Sequence, residues 1–207
     1  MVKACLFDLD GVVFDTEPLY TLFWRNLDKR LRPNIDNFEH VIKGQTLVQI
    51  YDKYFTGDED KQKEITTNLY EYERNMSFNY ISGFEIFIKG LRSKGIKTAV
   101  VTSSNLAKMQ NVYNNHPEFK GYFDEILTSE DFEESKPSPD CYFKAAACFG
   151  VSPKECIVFE DSFNGLRSGI ASGARVIGLA TTNSVAELIP YTEEVISNYD
   201  GFTLSDH

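Results

Sequence analysis

Five stretches of the chain are almost continuously apolar: "ACLFDL" (4–9), "IKTAVVTSS" (96–104), "YFDEILTS" (122–129), "ECIVFED" (155–161) and "ARVIGLA" (174–180). Unbroken runs of this length, rather than alternating ones, predict strands of a parallel sheet covered on both faces. Between them the apolar positions shift to helical spacing. "GFEIFIKGLRSKG" ends on Gly95, a natural helix stop. "SPDCYFKAAACFG" offers Ser138 as N-cap, Pro139 at the first helical position and Gly150 beyond the end. "SFNGLRSGIASGA" follows the fourth run. "SVAELIP" opens on Ser184 and carries Glu187 three residues later, a capping box. Strands alternating with helices predict an α/β fold, a Rossmann-like parallel sheet flanked by helices with right-handed crossovers.

Residues 15–80 break that alternation. Leu19, Phe23, Leu27 and Leu31 recur every four residues, one face of a helix that Asp15 or Thr16 can cap, with Pro18 in its first turn. "RPNIDNF" interrupts it, "GQTLVQIYDKYF" resumes, and "GDEDKQKE" reads as a solvated face leading into "ITTNLYEYERN". The expected division is therefore a core of residues 1–14 and 81–207 and a helical insert of residues 15–80. Ligands of open α/β sheets bind beyond the carboxyl ends of the strands, so an insert placed directly after the first strand roofs that crevice.

Composition narrows the possibilities. With 42% hydrophobic and 14% aromatic residues the chain has enough apolar material for a core. No apolar run reaches the length of a membrane span, and the start of the chain lacks a leader's long apolar stretch, so a cytoplasmic protein is expected. A net charge of −10 repels nucleic acid. Cys5, Cys141, Cys148 and Cys156 form no CxxC pair and read as small hydrophobes. His40, His116 and His207 are scattered and make no zinc set.

Chemistry concentrates at the predicted strand ends. The first strand ends in Asp8 and Asp10, followed by Gly11 and Asp15. The second ends in Thr102, Ser103 and Ser104, and the fourth in Glu160 and Asp161, with Lys136 after the third. In a parallel sheet these ends share one edge. Clustered carboxylates raise one another's pKa, and a hard divalent cation, Mg²⁺, removes the repulsion while leaving room for water and phosphate. Lys136 and Thr102 suit phosphate oxygens. A carboxylate can attack phosphorus to give an aspartyl-phosphate, and a second one two residues on can serve as acid and then base.

"DLDGVVFDTEP", "VVTSSN", "KPSPD" and "FEDSFNG", in that order, resemble the four motifs of the haloacid dehalogenase superfamily, and the insert is similar to its small α-helical cap. The β-phosphoglucomutase-like phosphatases are the most similar branch. The resemblance implies Asp8 as nucleophile and Asp10 as general acid/base. It implies Mg²⁺ held by Asp8, the Asp10 carbonyl and Asp161, with Glu160 a direct or more distant ligand. Thr102 and Lys136 would grip the transferring phosphoryl group, with Ser103, Ser104 and Asn164 beside it. Glu17, Lys43, Gly44, Gln45 and Thr46 would face the substrate, and Asp15 and residues 80–83 would be hinges. The activity implied is a Mg²⁺-dependent phosphatase of a small phosphorylated metabolite, a sugar phosphate or similar. A sugar-phosphate mutase is the alternative. It is disfavoured because Leu47 stands near the place of the mutase's distal phosphate-gripping arginine, and Tyr20 at that of its first-helix histidine. A phospho-accepting signalling receiver is a remote third reading. The partner expected is a small-molecule phosphate ester, with neither nucleic acid nor membrane, and the oligomeric state stays open, a monomer included.

Overall fold

The protein is described by a computed structural model covering residues 1–204; His207 lies outside the described residues. Among the described residues six parallel strands form one sheet in the order β3-β2-β1-β4-β5-β6. They are β1 (Ala4–Phe7), β2 (Lys97–Val101), β3 (Glu125–Leu127), β4 (Cys156–Glu160), β5 (Arg175–Leu179) and β6 (Glu194–Ile196). The five apolar runs supply β1 to β5. The sixth strand comes from "EVI", only half-buried, whose period gives no strand signal.

The central strand shows why both faces are covered. Cys5 and Phe7 point into one hydrophobic cluster, Ala4 and Leu6 into another, and all four are fully buried. Helices α5 (Phe84–Ser93) and α6 (Leu106–Asn115) lie against the first cluster, α7 (Asp140–Cys148) and α8 (Phe163–Ser172) against the second. A short α9 (Val185–Leu188) keeps the predicted Ser184–Glu187 capping box. Helix α7 begins one residue later than expected. Pro139 is its N-cap, and the Pro139 carbonyl accepts from Tyr142 and Phe143.

Between β1 and α5 lie α1 (Glu17–Asn26), α2 (Phe38–Val41), α3 (Leu47–Tyr54) and α4 (Glu59–Arg74). They share a third cluster around Phe23, Trp24, Phe38 and Ile65. Helix α1 stops before the apolar stripe does: Leu27 and Leu31 are buried from a turn. Thr16 occupies the N-cap of α1, but its side chain makes no capping bond. The chain leaves and re-enters the core at one point. Phe14 bridges Tyr80, Asp15 N–H donates to Asn79 O at 2.8 Å, and Ile81 N–H donates to Val13 O at 2.9 Å. All four cysteines are free; Cys5, Cys141 and Cys156 are buried like small hydrophobes, whereas Cys148, at the end of α7, is exposed. No helix among the described residues is long and apolar enough to cross a membrane.

Phe7 stacks on Phe159 at 4.6 Å and meets Phe84 and Phe87 edge-on, directly beneath the strand ends. Phe7→Ala opens a cavity there and is expected to cost about 3–5 kcal/mol, read as a lower urea midpoint with an unchanged slope. A loss below about 1 kcal/mol would show that the cluster relaxes into the gap.

Candidate active site

Asp8 is the first residue beyond β1 and Glu160 the last of β4, so the parallel register sets them side by side. The Lys136 ammonium joins them. It donates to Asp8 Oδ1 at 2.7 Å, to Glu160 Oε1 at 2.6 Å and to the Val101 carbonyl at 3.0 Å. Glu160 Oε1 also accepts from the Tyr142 hydroxyl at 2.6 Å. A Cβ on residue 165 would overlap the Glu160 carboxyl, which accounts for Gly165 in "FEDSFNG". Burial would lower the Lys136 pKa, but the Asp8 and Glu160 charges outweigh it and hold the ammonium well above its usual range. Burial pushes the Asp8 carboxyl up to about 7; Glu160 and Asp10 add to the rise, and Lys136 only partly offsets it.

Asp161 follows β4 directly. Its Oδ2 accepts from the Thr182 hydroxyl and occupies the space that a side chain on residue 11 would need. Gly11 has φ +70°, so the turn after Asp10 requires glycine on both counts. Burial, then Glu17, Asp8 and Glu160, raise the Asp161 carboxyl well above its ordinary range. Asp8, Glu160 and Asp161 each offer a carboxylate oxygen within 4.8 Å of the others. This cluster fits a hard cation. Asp8 Oδ2 and Asp161 Oδ1 have no hydrogen-bond partner among the described residues, whereas Glu160 is occupied by Lys136, Tyr142 and Ser162. The Asp10 carboxylate is not part of the cluster.

The Asp10 carboxylate instead has its own set of donors. Thr16 Oγ1 donates at 2.5 Å and Ser104 Oγ at 3.0 Å, and Lys108 Nζ lies 2.6 Å from both oxygens. Burial acts to raise this carboxyl, but Lys108 and the two hydroxyls overcome it and hold the pKa below the usual range. Lys108 also lies 4.6 Å from the centre of the Tyr20 ring, and the Tyr20 hydroxyl donates to Glu73 at 2.8 Å.

These groups line a cavity of about 390 Å³ between the sheet edge and the helical insert. Asp8, Asp10, Thr102, Lys136 and Asp161 form its core wall, with Ser103 and Ser104 beside them. Glu17, Lys43, Gly44, Gln45 and Thr46 line it from the insert, but most of their polar groups are already engaged. Lys43 donates to Thr182 O at 3.1 Å and Gln45 to Val41 O at 2.9 Å, while Thr46 caps α3 by accepting from Gln49 N–H. Asn164 is not on the wall; its amide donates to Gly44 O at 3.1 Å. Glu160 likewise lies behind the wall, fully buried. Ser104 faces Asp10 as well as the cavity.

Lys108, Thr16, Tyr142, Thr182 and Gln49 are functional neighbours that the sequence reading passed over. Gln49 donates to the Lys136 carbonyl at 2.9 Å, from insert to core. Lys108 did carry a signal. It stands in the first turn of α6, where the helix dipole disfavours a cation, and a lysine there points to a local anion. The others look like ordinary cap, turn or core residues.

Lys108 is buried and Asp10 opens on the cavity, with side-chain exposures of 5% and 18%. Lys108→Met leaves Asp10 without its counter-charge and is expected to cost about 2–4 kcal/mol at neutral pH, toward the low end for a broken buried pair. Because the Asp10 pKa is depressed, that contribution exists above its unfolded value near 4 and fades as pH falls below it. Urea unfolding of the variant at pH 7.5 and pH 3.5 tests this; equal losses at both pH values would refute it.

A family model for haloacid dehalogenase-like hydrolases matches residues 2–173. Hexitol phosphatase A of Escherichia coli K12 is 28% identical over 182 residues, 86% of this chain and 82% of that protein. The bifunctional riboflavin kinase/FMN phosphatase of Arabidopsis thaliana is 27% identical over 198 residues, 95% of this chain but only 52% of that protein, so the chain spans about half of it. Among solved structures, a HAD hydrolase of family IA, variant 3, from Entamoeba histolytica superposes with a TM-score of 0.86 at 27% identity, covering 98% of this chain and 96% of that one. A match over most of the sequence, with the motif residues gathered at one cavity, makes the chain an enzyme of the haloacid dehalogenase-like hydrolase family.

Proposed function

We propose that the protein is a Mg²⁺-dependent phosphatase that hydrolyses a small phosphorylated metabolite through an aspartyl-phosphate on Asp8. The observation that carries this reading is the Lys136 ammonium 2.7 Å from Asp8 at the floor of a cavity that also holds Asp10 and Asp161. An Asp8 oxygen attacks phosphorus, and the bond from phosphorus to the alcohol oxygen breaks. The departing oxygen takes a proton from Asp10. Water then attacks the phosphorus of the aspartyl-phosphate and gives a proton to Asp10, so that phosphate leaves and both acids are restored. Asp10 is an anion in the empty site. The negative phosphate raises its pKa, so it takes up a proton from solvent as substrate binds and gives that proton to the departing oxygen. It regains one from the attacking water and returns it to solvent as phosphate leaves. Lys136, with Thr102 beside it, holds the phosphoryl oxygens. Mg²⁺, held by Asp8, the Asp10 carbonyl and Asp161 with Glu160 behind them, would offset the repulsion between phosphate and Asp8.

Residues 15–80 act in this reading as a cap that excludes bulk water. Its contacts with the core support this: Lys43 to Thr182, Gln49 to Lys136, and Asn164 to Gly44. A mutase would require a cation free to grip a second phosphate. Leu47 lines the cavity near the place where the resemblance puts that group, Lys108 is held by Asp10, and Lys43 donates one N–H to Thr182 O.

Asp8→Asn is expected to fold with an unchanged thermal midpoint and to lose at least about a thousandfold in turnover of p-nitrophenyl phosphate, as expected for removal of a covalent nucleophile. Turnover within tenfold of wild type would assign the attack to another group. A second prediction needs no activity. In the metal-free protein Asp8 titrates near 7, and Asp161 is also raised, against about 4 in the unfolded chain. The folded state therefore binds extra protons, and its stability falls as pH rises between those values. Mg²⁺ must displace those protons, so the thermal midpoint gained on adding MgCl₂ should be larger at pH 7.5 than at pH 5.5. A gain that is absent, or no larger at pH 7.5, would contradict the assigned ligands.

A further inference from the structure

Phosphate has its partners at the core wall of the cavity, so the rest of the substrate must lie against the insert. There Glu39 is engaged by Arg25 at 3.1 Å, Glu73 by the Tyr20 hydroxyl, and Lys43 and Lys108 by Thr182 and Asp10. Glu17 is different. It opens α1 on the cavity wall, and no donor among the described residues hydrogen-bonds its carboxylate; nearby charges and burial alone act on it. Burial and the Asp10 charge push its carboxyl up to about 7, against Lys108 and Lys43, so above that pH it is a carboxylate, an acceptor with no hydrogen to give. Tyr20 donates its hydrogen to Glu73, so its oxygen also presents lone pairs to the cavity. The second Glu73 oxygen has no partner among the described residues. On this side of the cavity the free acceptors are the Glu17 carboxyl, the second Glu73 oxygen and the Tyr20 oxygen, and they stand beside donors from Thr21, Trp24 and Lys43.

Building on the phosphatase reading, we propose that Glu17 is the specificity-determining residue for the alcohol part of the substrate. It accepts hydrogen bonds from an alcohol bearing donors, either hydroxyl or ammonium, and repels an alcohol bearing a second anion. The favoured substrates are thus polyol or amino-sugar monophosphates, and the disfavoured ones are phosphorylated hydroxy acids and bisphosphates. Size agrees. About 390 Å³ is near the small end of ligand pockets and holds a phosphate with a chain of a few carbons. Two carboxylates and an acceptor oxygen facing one alcohol would leave a carboxylate or second phosphate unpaired and repelled, which is how a site rejects as well as selects. Lys43 has further N–H groups and is the feature that argues the other way; a preference for anionic alcohols would identify it as the reader instead.

The test is a comparison of kcat/KM with Mg²⁺ for glucitol 6-phosphate, glucosamine 6-phosphate, phosphoglycolate, fructose 1,6-bisphosphate and p-nitrophenyl phosphate, in wild type, Glu17→Gln and Glu17→Ala. Wild type is expected to prefer the first two over phosphoglycolate and the bisphosphate by at least about tenfold, the scale of one hydrogen bond to a charged group. Glu17→Ala should reduce the ratio of glucitol 6-phosphate to phosphoglycolate by roughly tenfold or more, chiefly through KM. The isosteric Glu17→Gln should retain more of the hydroxyl preference than of any ammonium preference, which separates the two sources of donors. No hydrolysis of p-nitrophenyl phosphate by wild type would sink the phosphatase reading itself. Hydrolysis of it together with an anion-preferring or flat profile, or a profile that both variants leave unchanged, would sink the role of Glu17 alone.

Discussion

The site depends on one buried ammonium. Lys136 Nζ gathers Asp8 from the end of β1, the Val101 carbonyl from the end of β2 and Glu160 from the end of β4. Three strand ends that the sheet merely brings near are thereby fixed to one point. Buried charge clusters of this kind are poor sources of net stability, because desolvation consumes most of the attraction. What Lys136 supplies is position. It leaves one Asp8 oxygen unpartnered on the cavity side, and it neutralises Glu160, which lies behind the wall with Tyr142 on the same oxygen. The fold around it carries the matching constraints: Gly165 makes room for Glu160, and Gly11 for Asp161.

Two aspartates separated by one residue end up in opposite electrostatic states. Asp8, buried among acids, is pushed up toward neutral pH. Asp10, against Lys108 and two hydroxyls, is held down. The difference follows from the charges that face each carboxyl group. Asp8 shares its lysine with Glu160 and stands near Asp161, an arrangement that a divalent cation relieves. Asp10 has α6 and the start of α1 for neighbours, and these supply its donors.

Much of this was legible in the sequence because strand and site share one signal. An apolar run that ends abruptly in Asp, Thr or Glu marks both a buried strand and its polar end, and β1, β2 and β4 all read that way. The runs gave the sheet, and order along the chain gave the cavity. What was illegible lacks such coupling. β6 is a three-residue edge strand that buries too little to show a period. The stripe of α1 continued past its helix because Leu27 and Leu31 reach the same cluster from a turn. Asn164, Gln45 and Lys43 are polar residues beside a motif, and sequence cannot show that they bond to backbone carbonyls instead of pointing freely into the cavity. Thr16 could be read as a helix cap by position, yet its hydroxyl serves Asp10.

That last exchange ties the insert to the chemistry. The insert meets the core through the paired segments at Phe14 and Tyr80, packed by Phe119 and by His116, whose Nε2 lies 2.6 Å from the Phe78 carbonyl. Across the cavity mouth, beside the packing of α4 on α6 and of Lys108 on Tyr20, the hydrogen bonds are single ones: Lys43 to Thr182, Gln49 to Lys136, Asn164 to Gly44 and Asn105 to Tyr70. Bonds of this kind contribute only about 1 kcal/mol each, so the mouth is held far more weakly than the hinge is packed. Movement between insert and core would therefore break the mouth contacts first and turn about residues 14–16. Thr16 sits at that pivot with its hydroxyl on Asp10. A rotation there changes the donor set of Asp10, so in the proposed reading, where this carboxylate gives and takes a proton, the geometry that admits substrate also sets the state of Asp10.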